Sequence, residues 1–382
     1  MVNVVKDIYF DHAASTFVFP QVLDAMIPYF EEAYGNPSSV HRLGRQGRRA
    51  IDEAREQISS TLGAEPNQIV FTSSGTEADN MALMGIALAN RNKGNHIITS
   101  IIEHHAVLHT CEYLKRLGFE VTYLPVDQYG MVDLKDVKQV MKESTILISV
   151  MYGNNEVGTL QPIKEIAEFA KEKGVAMHTD AIQAYGSIPI DISEIPVDSL
   201  SISSHKINGP KGVGALFLSG KIKFTPLLHG GQQEKKRRAG TENVPGIVGF
   251  AKAAEFSRQT MEERRTKYIA IREEMTKIWK EEGIEFMLNG HPTHFLPHIL
   301  NVSFPEIDTE VMLMSLDMEG IYCSSGSACA SGSLEASHVV SAMYEDKRRL
   351  KSAIRFSFGL NNTVEDGRTV AKKVVQIIER LR

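Results

Sequence analysis

The chain has 382 residues, of which 42% are hydrophobic and 23% are charged, so it can bury an ordinary core in one large domain plus a smaller one, or in two domains of medium size. The formal net charge of -5 gives no sign of a nucleic-acid or membrane-surface protein. No run of roughly 18 apolar residues predicts a transmembrane span, and the first residues carry too much charge for a secretory signal. We therefore expect a cytoplasmic protein without a membrane or direct nucleic-acid partner.

The predicted elements alternate between helices and strands over the first two thirds of the chain. A helix is predicted over 48–62, because apolar residues recur three or four positions apart there and Gly63 follows. Pro162 opens a further helix. Strands are predicted over 68–73, 96–100, 123–126, 146–152, 175–180, 199–203 and 212–218. Continuous apolar strands alternating with amphipathic helices indicate a mostly parallel sheet covered by helices.

The pattern changes after about residue 256. A long charged helix is predicted over 260–282, followed by a strand over 299–304. A stretch rich in Ser, Gly and Ala comes next, then a strand over 353–358 and a terminal helix. This part of the chain is interpreted as a smaller α+β domain.

The cysteine content argues against a disulfide framework. There are only three cysteines, Cys111, Cys323 and Cys329, an odd number in a long chain, and this fits a reducing compartment. No pair of cysteines or histidines has the spacing of a structural zinc site. The chemistry is therefore expected to depend on side chains and an organic cofactor, without a stable metal.

A phosphate site is one interpretation of the segment SSGTE (73–77), between a predicted strand and an apolar helix. Small residues let the backbone approach an anion, and a helix N-terminus offers free N–H groups and positive dipole. The alternative is an ordinary helix cap made by Ser or Thr with a nearby Glu.

The segment HTDAIQ (178–183) places Asp180 at the carboxyl end of a strand, where open α/β sheets hold ligands. A carboxylate there can pair with a protonated pyridine nitrogen and so strengthen an electron sink. The alternative is that Asp180 caps the helix that follows.

The segment SSHKINGPKGVG (203–214) places Lys206 just beyond another strand. A lysine in that position can form a Schiff base with an aldehyde cofactor. The alternative is a solvated loop lysine, and Lys211, between Pro and Gly, is a competitor for the same role.

The segment EHHAV (103–107) follows a strand and offers a histidine that could stack on a flat ring and shuttle protons. A satisfied core or surface histidine is the alternative. His104 and His105 cannot both face the ring if their side chains diverge.

The segment SSGSACAS (324–331) contains Cys329 among residues without bulky side chains, which favours an exposed and mobile cysteine. A buried structural cysteine is the alternative. In AIRFSFG (353–359), Arg355 interrupts an apolar strand. It could bind a substrate carboxylate through two hydrogen bonds, or form an internal salt bridge.

Together these segments resemble one family, the pyridoxal-phosphate (PLP)-dependent cysteine desulfurases of NifS/IscS type within the class V aminotransferase group. The resemblance runs from YFDHAAS near residue 9 to RFSFG near 355. Further motifs that carry it are GNPSSVHRLG (35–44), FTSSGTEADN (71–80), NNEVGTLQPI (154–163) and HGGQQEKKRRAGTENVPGIVG (229–249). The SSGSAC loop resembles the housekeeping subgroup, which serves iron–sulfur cluster assembly and tRNA thiolation.

The resemblance implies a role for each site residue. Lys206 would be the Schiff-base lysine, Asp180 would pair with the pyridine nitrogen, and His104 would stack on the ring and move protons. Cys329 would attack the substrate sulfur. The remaining implied contacts are with the phosphate (Gly75, Thr76, Ser203, His205 and, across a dimer interface, Thr241), the ring hydroxyl (Gln183), the substrate and cofactor (Asn155) and the substrate carboxylate (Arg355).

The resemblance also implies an α/β fold of PLP fold type I. A large domain with a mostly parallel seven-stranded sheet would span 16–256, and a small α+β domain would comprise 1–15 and 257–382 with the mobile cysteine loop at about 323–335. The implied activity is conversion of L-cysteine to L-alanine, with transfer of the sulfur as a Cys329 persulfide to acceptor proteins, in a homodimer. A transient iron–sulfur ligand role for Cys329 through a scaffold partner stays open.

Three alternatives remain at this stage. A selenocysteine lyase differs little in sequence. A class V aminotransferase would use Lys206 and Asp180 without a catalytic thiol. A sulfur-pathway scaffold would keep the fold but lack turnover, which the presence of Lys206, Asp180, His104 and Cys329 disfavours.

Overall fold

A computed structural model describes residues 7–305, 307–326 and 337–381. The strands are β1 (Ile8–Tyr9), β2 (Ile69–Thr72), β3 (His96–Ser100), β4 (Glu120–Leu124), β5 (Thr145–Ser149), β6 (Ala176–Asp180), β7 (Ser199–Ser203), β8 (Gly214–Leu218), β9 (Met287–Asn289), β10 (Ile299–Ser303), β11 (Ile321–Tyr322) and β12 (Ala353–Ser357).

The α-helices are α1 (Pro20–Met26), α2 (Pro28–Glu31), α3 (Arg42–Leu62), α4 (Gly75–Asn90), α5 (His105–Arg116), α6 (Leu134–Val140), α7 (Ile163–Lys173), α8 (Val244–Gln259), α9 (Met261–Glu281), α10 (Thr309–Met318), α11 (His338–Met343), α12 (Lys347–Leu350) and α13 (Val364–Leu381). Short 3₁₀ turns cover Pro66–Gln68, Ser204–Lys206 and Gln233–Lys236. Within the described residues, no helix combines the length and the apolar character that crossing a membrane requires.

A seven-stranded sheet organises the first part of the chain, in the order β2-β8-β7-β6-β5-β3-β4. Strands β4, β3, β5, β6 and β7 are mutually parallel, and β8 runs antiparallel to both of its neighbours. The predicted fold class, α/β with a mostly parallel seven-stranded sheet, is therefore confirmed. The carboxyl ends of the parallel strands meet at one edge of this sheet.

Most predicted elements form close to the predicted bounds, with informative shifts. Helix α3 begins at Arg42 rather than 48, and it ends where Gly63 adopts a left-handed conformation with φ of 65°. Strand β4 covers Glu120–Leu124 rather than 123–126. The prediction was wrong at this strand because Pro125 cannot donate a ladder hydrogen bond, so pairing with β3 ends at Leu124.

Hydrophobic residues bury both faces of the large sheet. One cluster includes Ile98, Ile148 and Leu200 and packs under α3, α7 and α8, while the other includes Ile97 and Leu147 and packs under α4 and α5. The alternation follows from the two-residue period of strands, which sends successive side chains to opposite faces.

A separate hydrophobic cluster builds the second part of the molecule. The antiparallel sheet β12-β10-β9 packs with α9 and α13 around Trp279, which is fully buried. Strand β1, near the start of the chain, pairs in parallel with β11 and contributes Ile8 to this cluster. The N-terminal strand thus packs with the C-terminal part of the chain.

Candidate active site

The carboxyl-terminal edge of the large sheet gathers the predicted chemical groups. Strand β2 leads to Gly75 at the start of α4, and β3 leads to His104 just before α5. Strand β6 ends at Asp180, and β7 leads to Lys206. Parallel strands end on the same edge, so segments far apart in sequence meet there.

Lys206 lies half-buried against the N-terminal segment of the chain. Its Nζ donates hydrogen bonds to the carbonyl oxygens of Ala13 at 2.5 Å and Ala14 at 2.9 Å. Its charge also acts on His104 and Asp180. The interpretation of Lys206 as a solvated loop lysine is therefore wrong, because the structure holds its amine inside the site, whereas Lys211 is exposed.

Asp180 is buried at the end of β6, and its Oδ1 accepts a hydrogen bond from the Ile182 N–H at 2.9 Å. Burial raises the pKa of this carboxyl to about 6. The Ile182 hydrogen bond and the charge of Lys206 both lower this pKa, but their effect is smaller than that of burial. The alternative that Asp180 caps a following helix is wrong, because turns and no helix connect β6 to β7 in the described chain. A buried carboxyl that acts electrostatically on an amine is also suited to pairing with a ligand cation.

The N-terminus of α4 forms a close cradle beside the ends of β6 and β7. A Cβ added to Gly75 would lie 2.2 Å from Ile182 Cδ1 and 3.4 Å from Ser203 Cβ, so a larger residue here would require the Ile182 side chain to move. Ser74 caps the helix by accepting the Glu77 N–H at 3.1 Å, as the alternative predicted. The buried Ser203 hydroxyl makes no hydrogen bond within the described residues, which leaves it available to an anion at the helix start.

The other two predicted phosphate ligands have the following contacts. The ring of His205 approaches Ser15, with Nδ1 3.3 Å from the hydroxyl oxygen. Thr241 is exposed and lines a small cavity of 80 Å³ together with Thr72 and Ser73. Ser73 precedes the start of α4 by two residues, whereas Lys206 and Asp180 are not among the described residues that line this cavity.

His104 and Thr76 line one solvent-accessible cavity of 390 Å³. The Nδ1 of His104 accepts the Ala106 N–H at 3.1 Å, so this ring also caps α5. Burial, reinforced by the charge of Lys206, lowers the pKa of His104 to about 4. The imidazole is therefore neutral near pH 7 and carries its proton on Nε2, the atom that α5 leaves free.

Arg355 is only 2% exposed in the middle of β12. Its Nη2 lies 2.8 Å from Asp11 Oδ1, and its Nη1 donates to the carbonyl oxygen of Asn155 at 2.9 Å. The residues that follow Asn155 are held by Asn154, whose Oδ1 accepts the N–H groups of Glu156 and Val157. The predicted internal salt bridge is thus present, and Asn155 lies next to the guanidinium.

Gln183 joins the same region through the N-terminal segment. Its Nε2 donates to the Ala13 carbonyl at 2.9 Å, and its Oε1 lies 3.2 Å from His298 Nε2. Sequence reasoning did not single out Ala13, His298 or Asp11. The Asp11-to-Ala13 stretch lies inside the YFDHAAS motif, so the motif was a usable signal, but the partners of these residues follow only from the fold.

The predicted nucleophile Cys329 lies outside the described residues. The described residues on both sides of it contact the site. Ser324 exchanges backbone hydrogen bonds with Arg355, at 3.2 and 2.6 Å. Beyond the gap, the Ser337 hydroxyl donates to Glu156 Oε2, and His338 Nε2 lies 3.0 Å from the Glu103 carbonyl oxygen.

The sequence profile of the aminotransferase class-V family matches residues 8–369. The chain belongs to this family. It is 51% identical over 381 residues to a protein of Methanosarcina thermophila named cysteine desulfurase IscS, covering 99% of this chain and 93% of that one. A cysteine desulfurase IscS of Dictyoglomus turgidum is 47% identical over 377 residues, with 99% and 96% covered.

Solved structures of this family share the fold. A NifS-like protein superposes with a TM-score of 0.92 at 37% identity, covering 98% of this chain and all 100% of that one. The structure of SspA in complex with cysteine superposes with a TM-score of 0.81 at 36% identity, covering 92% and 99%. The resemblance predicted from the sequence motifs is therefore confirmed.

Class V aminotransferases of the IscS and NifS type depend on PLP, and the residues of this site fit that cofactor. The start of α4 suits its phosphate, as does the Ser203 hydroxyl, which has no hydrogen-bond partner among the described residues. Asp180 suits its ring nitrogen, and the amine of Lys206 suits its aldehyde. The predicted cofactor is thus confirmed at the level of the family, and the donor set here matches it.

Proposed function

We propose that this protein is a PLP-dependent cysteine desulfurase that converts L-cysteine to L-alanine and receives the sulfur on Cys329. The relatives at about half identity over the whole chain support this activity. The observation that favours it over transamination is the pairing of Ser324, five residues before Cys329 in the sequence, with Arg355 at the proposed substrate site.

The position of Gly326, the last described residue before Cys329, supports the same assignment. A Cβ on Gly326 would lie 2.8 Å from Glu156 Oε2. Glu156 follows Asn155, whose carbonyl oxygen accepts a hydrogen bond from Arg355. The described chain before the gap therefore ends beside the proposed substrate site.

The proposed cofactor contacts follow the geometry of the strand ends. Gly75, Thr76 and Ser203 hold the phosphate, with His205 and a partner copy's Thr241 completing the site. Asp180 pairs with the ring nitrogen, Gln183 with the ring hydroxyl, and His104 and Asn155 contact the ring. Lys206 is the residue that carries the cofactor. The exposure of Thr241 supports its use by a second copy.

In the proposed reaction, Arg355 and Asn155 orient the cysteine carboxylate. Bound PLP supplies an electron sink for negative charge at the substrate Cα. The amine of Lys206, held near the ring, takes the Cα proton. Neutral His104 keeps an N–H on Nε2 toward the cavity and can return a proton to the substrate.

The thiolate of Cys329 then bonds to the substrate sulfur as the substrate C–S bond breaks. The electrons of that bond stay with carbon, which is protonated, so L-cysteine and a thiol give L-alanine and a persulfide. No external oxidant or reductant enters this step. The persulfide passes its outer sulfur to the thiol of an acceptor protein, for iron–sulfur cluster assembly or tRNA thiolation, in the cytoplasm.

Two organisational proposals accompany this function. The domain division at 16–256 and at 1–15 with 257–382 is supported by the separate hydrophobic clusters and by the pairing of β1 with β11. A homodimer is supported by apolar side chains left exposed near the N-terminus, namely Leu23, Ile27, Phe30, Tyr34 and Val40. Arg48 in the adjoining α3 pairs with Glu242, so Thr241 lies near this surface.

The test of the function is alanine formation from L-cysteine in the presence of a reductant, with a Lys206→Ala variant. We expect alanine from the wild type and none from this variant. Lys211→Ala is the matched control, because it removes a nearby exposed lysine, and it should keep wild-type turnover. Borohydride reduction followed by peptide mapping should place the cofactor on Lys206. Transamination without alanine formation would contradict the proposal.

A further inference from the structure

Three carboxyl groups are buried together at the strand ends. Asp180 ends β6, Asp79 lies in α4, and Glu103 lies between β3 and α5. Asp79 and Glu103 are completely buried, and Asp180 is 5% exposed. The negative charge of Asp180 acts on both Asp79 and Glu103, and an ionised Glu103 would also act on Asp79.

The sheet register explains how Asp79 comes to lie behind Asp180. His178 pairs with Ser149 of β5, and Asp180 pairs with Ser201 of β7, so these side chains share the face covered by α4. The His178 ring lies between two hydroxyls, with Nδ1 2.9 Å from Ser149 Oγ and Nε2 3.1 Å from Ser201 Oγ. Asp79 Oδ1 is 3.7 Å from the same Nε2.

Cations around this cluster are scarce. The charge of Lys206 acts on Asp180. Burial lowers the pKa of His178 to about 3 and that of His104 to about 4, so both rings are neutral near pH 7. Within the described residues, no lysine or arginine forms a salt bridge with Asp79 or Glu103. A buried carboxylate without a cation is strongly disfavoured, so protonation is the lower-energy state.

The hydrogen bonds of the two acids agree with this. Glu103 Oε1 accepts bonds from Ser100 Oγ at 2.6 Å and from the Met151 N–H at 2.9 Å, while Oε2 makes none within the described part. Neither oxygen of Asp79 makes a hydrogen bond of ordinary geometry to a described residue. Burial raises the pKa of Glu103 to about 8 and that of Asp79 well above 3.8. The Ser201 hydroxyl lowers the pKa of Asp79, but by less than burial raises it.

We propose that Asp79 and Glu103 are positioning residues that stay as neutral carboxylic acids behind Asp180 and thereby confine the negative charge of the cluster to Asp180. This proposal rests on the proposed function, in which Asp180 faces the ring nitrogen of the cofactor. A second anion nearby would favour a proton on Asp180 and weaken its pairing with that nitrogen. The neutral acids leave one defined anion at the strand ends.

The test is the pH dependence of unfolding of the PLP-saturated protein and an Asp79→Asn variant. An unfolded Asp is ionised above pH 3.8, whereas a buried neutral Asp79 keeps its proton, so the native state binds more protons and its stability falls as pH rises. The amide has no proton to retain. Unfolding is measured with denaturant at equal protein concentration. For each unit that the pH rises, the unfolding constant of the wild type should increase about tenfold relative to that of the variant.

Glu103→Gln provides an independent second variant. The free energy of unfolding of this variant, relative to that of the wild type, should increase as the pH rises above 4.5. This difference should level off above about pH 8, where Glu103 ionises in the native wild type. Asp191→Asn is the control, because the Asp191 carboxyl is exposed and its hydrogen bond with Ser193 lowers its pKa. Asp191 is therefore ionised in both the native and the unfolded state above pH 5. The difference in free energy of unfolding between this variant and the wild type should not increase with pH in that range.

Infrared spectroscopy near pH 7 adds a direct reading of protonation. The carbonyl stretch of a protonated carboxylic acid should be present in the wild type and weakened in each variant. A pH-independent stability difference for both variants, together with an unchanged band, would overturn the proposal. Neither readout uses cysteine turnover, so failure here and failure of the alanine assay are distinguishable.

Discussion

The guanidinium of Arg355 is held by the carboxylate of Asp11, with Nη2 2.8 Å from Oδ1, although the two residues are 344 positions apart. This partly buried contact joins β12 to the segment after β1. It satisfies one side of the guanidinium. In the proposed function, a substrate carboxylate would share the guanidinium with Asp11 or displace Asp11, so Asp11 would take part in the proposed recognition of cysteine.

Replacing Arg355 with Lys should weaken cysteine binding. Lysine keeps the charge but loses the planar fork that contacts Asp11 and Asn155 together. A charged hydrogen bond contributes about 1.5–3 kcal/mol, so KM for L-cysteine should rise about 10-fold to 150-fold, with a smaller change in kcat. Steady-state alanine formation measures this. The control is Arg368→Lys, a half-exposed arginine paired with Glu274, which should leave KM unchanged.

Asp180→Asn should weaken PLP binding most clearly near neutral pH. Burial raises the pKa of Asp180 to about 6, so in the apoprotein the anion that pairs with the ring nitrogen is lost as pH falls through about 6. The cofactor phosphate titrates near the same pH, so the measured quantity is the difference between wild type and variant. That difference should shrink below pH 6, as followed by fluorescence titration of apoprotein with PLP. A constant difference across this range would show that ionisation of Asp180 is not what matters.

The segment before Thr241 is strained and is held by a buried ion pair. Glu234, Lys235 and Lys236 all have positive φ, at 46°, 56° and 67°. Glu234 binds Arg55 through two hydrogen bonds of 2.7 Å and also accepts the Phe71 N–H. Lys235 and Lys236 are exposed at this turn, whereas Glu234 is buried.

Glu234→Ala should lower the free energy of unfolding by about 3–5 kcal/mol, because it leaves Arg55 buried without its partner. Denaturant titration measures this change. The control is Glu53→Ala in the exposed pair with Arg49, where the loss should stay below about 1 kcal/mol. Equal losses in both variants would mean that burial of the Arg55–Glu234 pair has no special effect.

The sequence predicted the sheet and the residues at its edge, but not the contacts between distant segments. Lys206 and Asp180 were singled out because Asp180 ends a strong apolar strand and Lys206 follows another, which is a local signal. Their roles were predicted from the resemblance to the family. The pairing of β1 with β11 could not be predicted in this way, because each strand has only two residues and the partners are remote. The contacts of Asp11 and Ala13 depend on that same long-range pairing.

The alternatives at single residues also needed the fold. His104 caps α5 and faces the cavity with Thr76, so the structural and functional interpretations apply to the same ring. Arg355 likewise combines an internal ion pair with a position beside Asn155. Composition and spacing cannot separate such roles, because both use the same polar atoms.

A charge on the exposed apolar surface should prevent dimerisation. Phe30 is 60% exposed in α2, and the proposed interface would remove it from water. Phe30→Glu should therefore give a monomer in sedimentation velocity, with weakened PLP binding because a partner's Thr241 is lost. Met318→Glu is the control, since Met318 is 86% exposed in α10 and outside the proposed interface. A Phe30→Glu dimer of normal stability would place the interface elsewhere.

The most direct test of the proposed desulfurase uses L-cysteine labelled with ³⁵S, the wild type, and Cys329→Ala, with Cys323→Ala as the control. Burial raises the pKa of the Cys323 thiol well above its usual range, so Cys323 is not expected to act as a thiolate near pH 7. We predict that wild type and Cys323→Ala form alanine and carry label on the peptide containing Cys329, whereas Cys329→Ala does neither with PLP still bound. Unlabelled Cys329, or equal alanine from Cys329→Ala, would contradict the account.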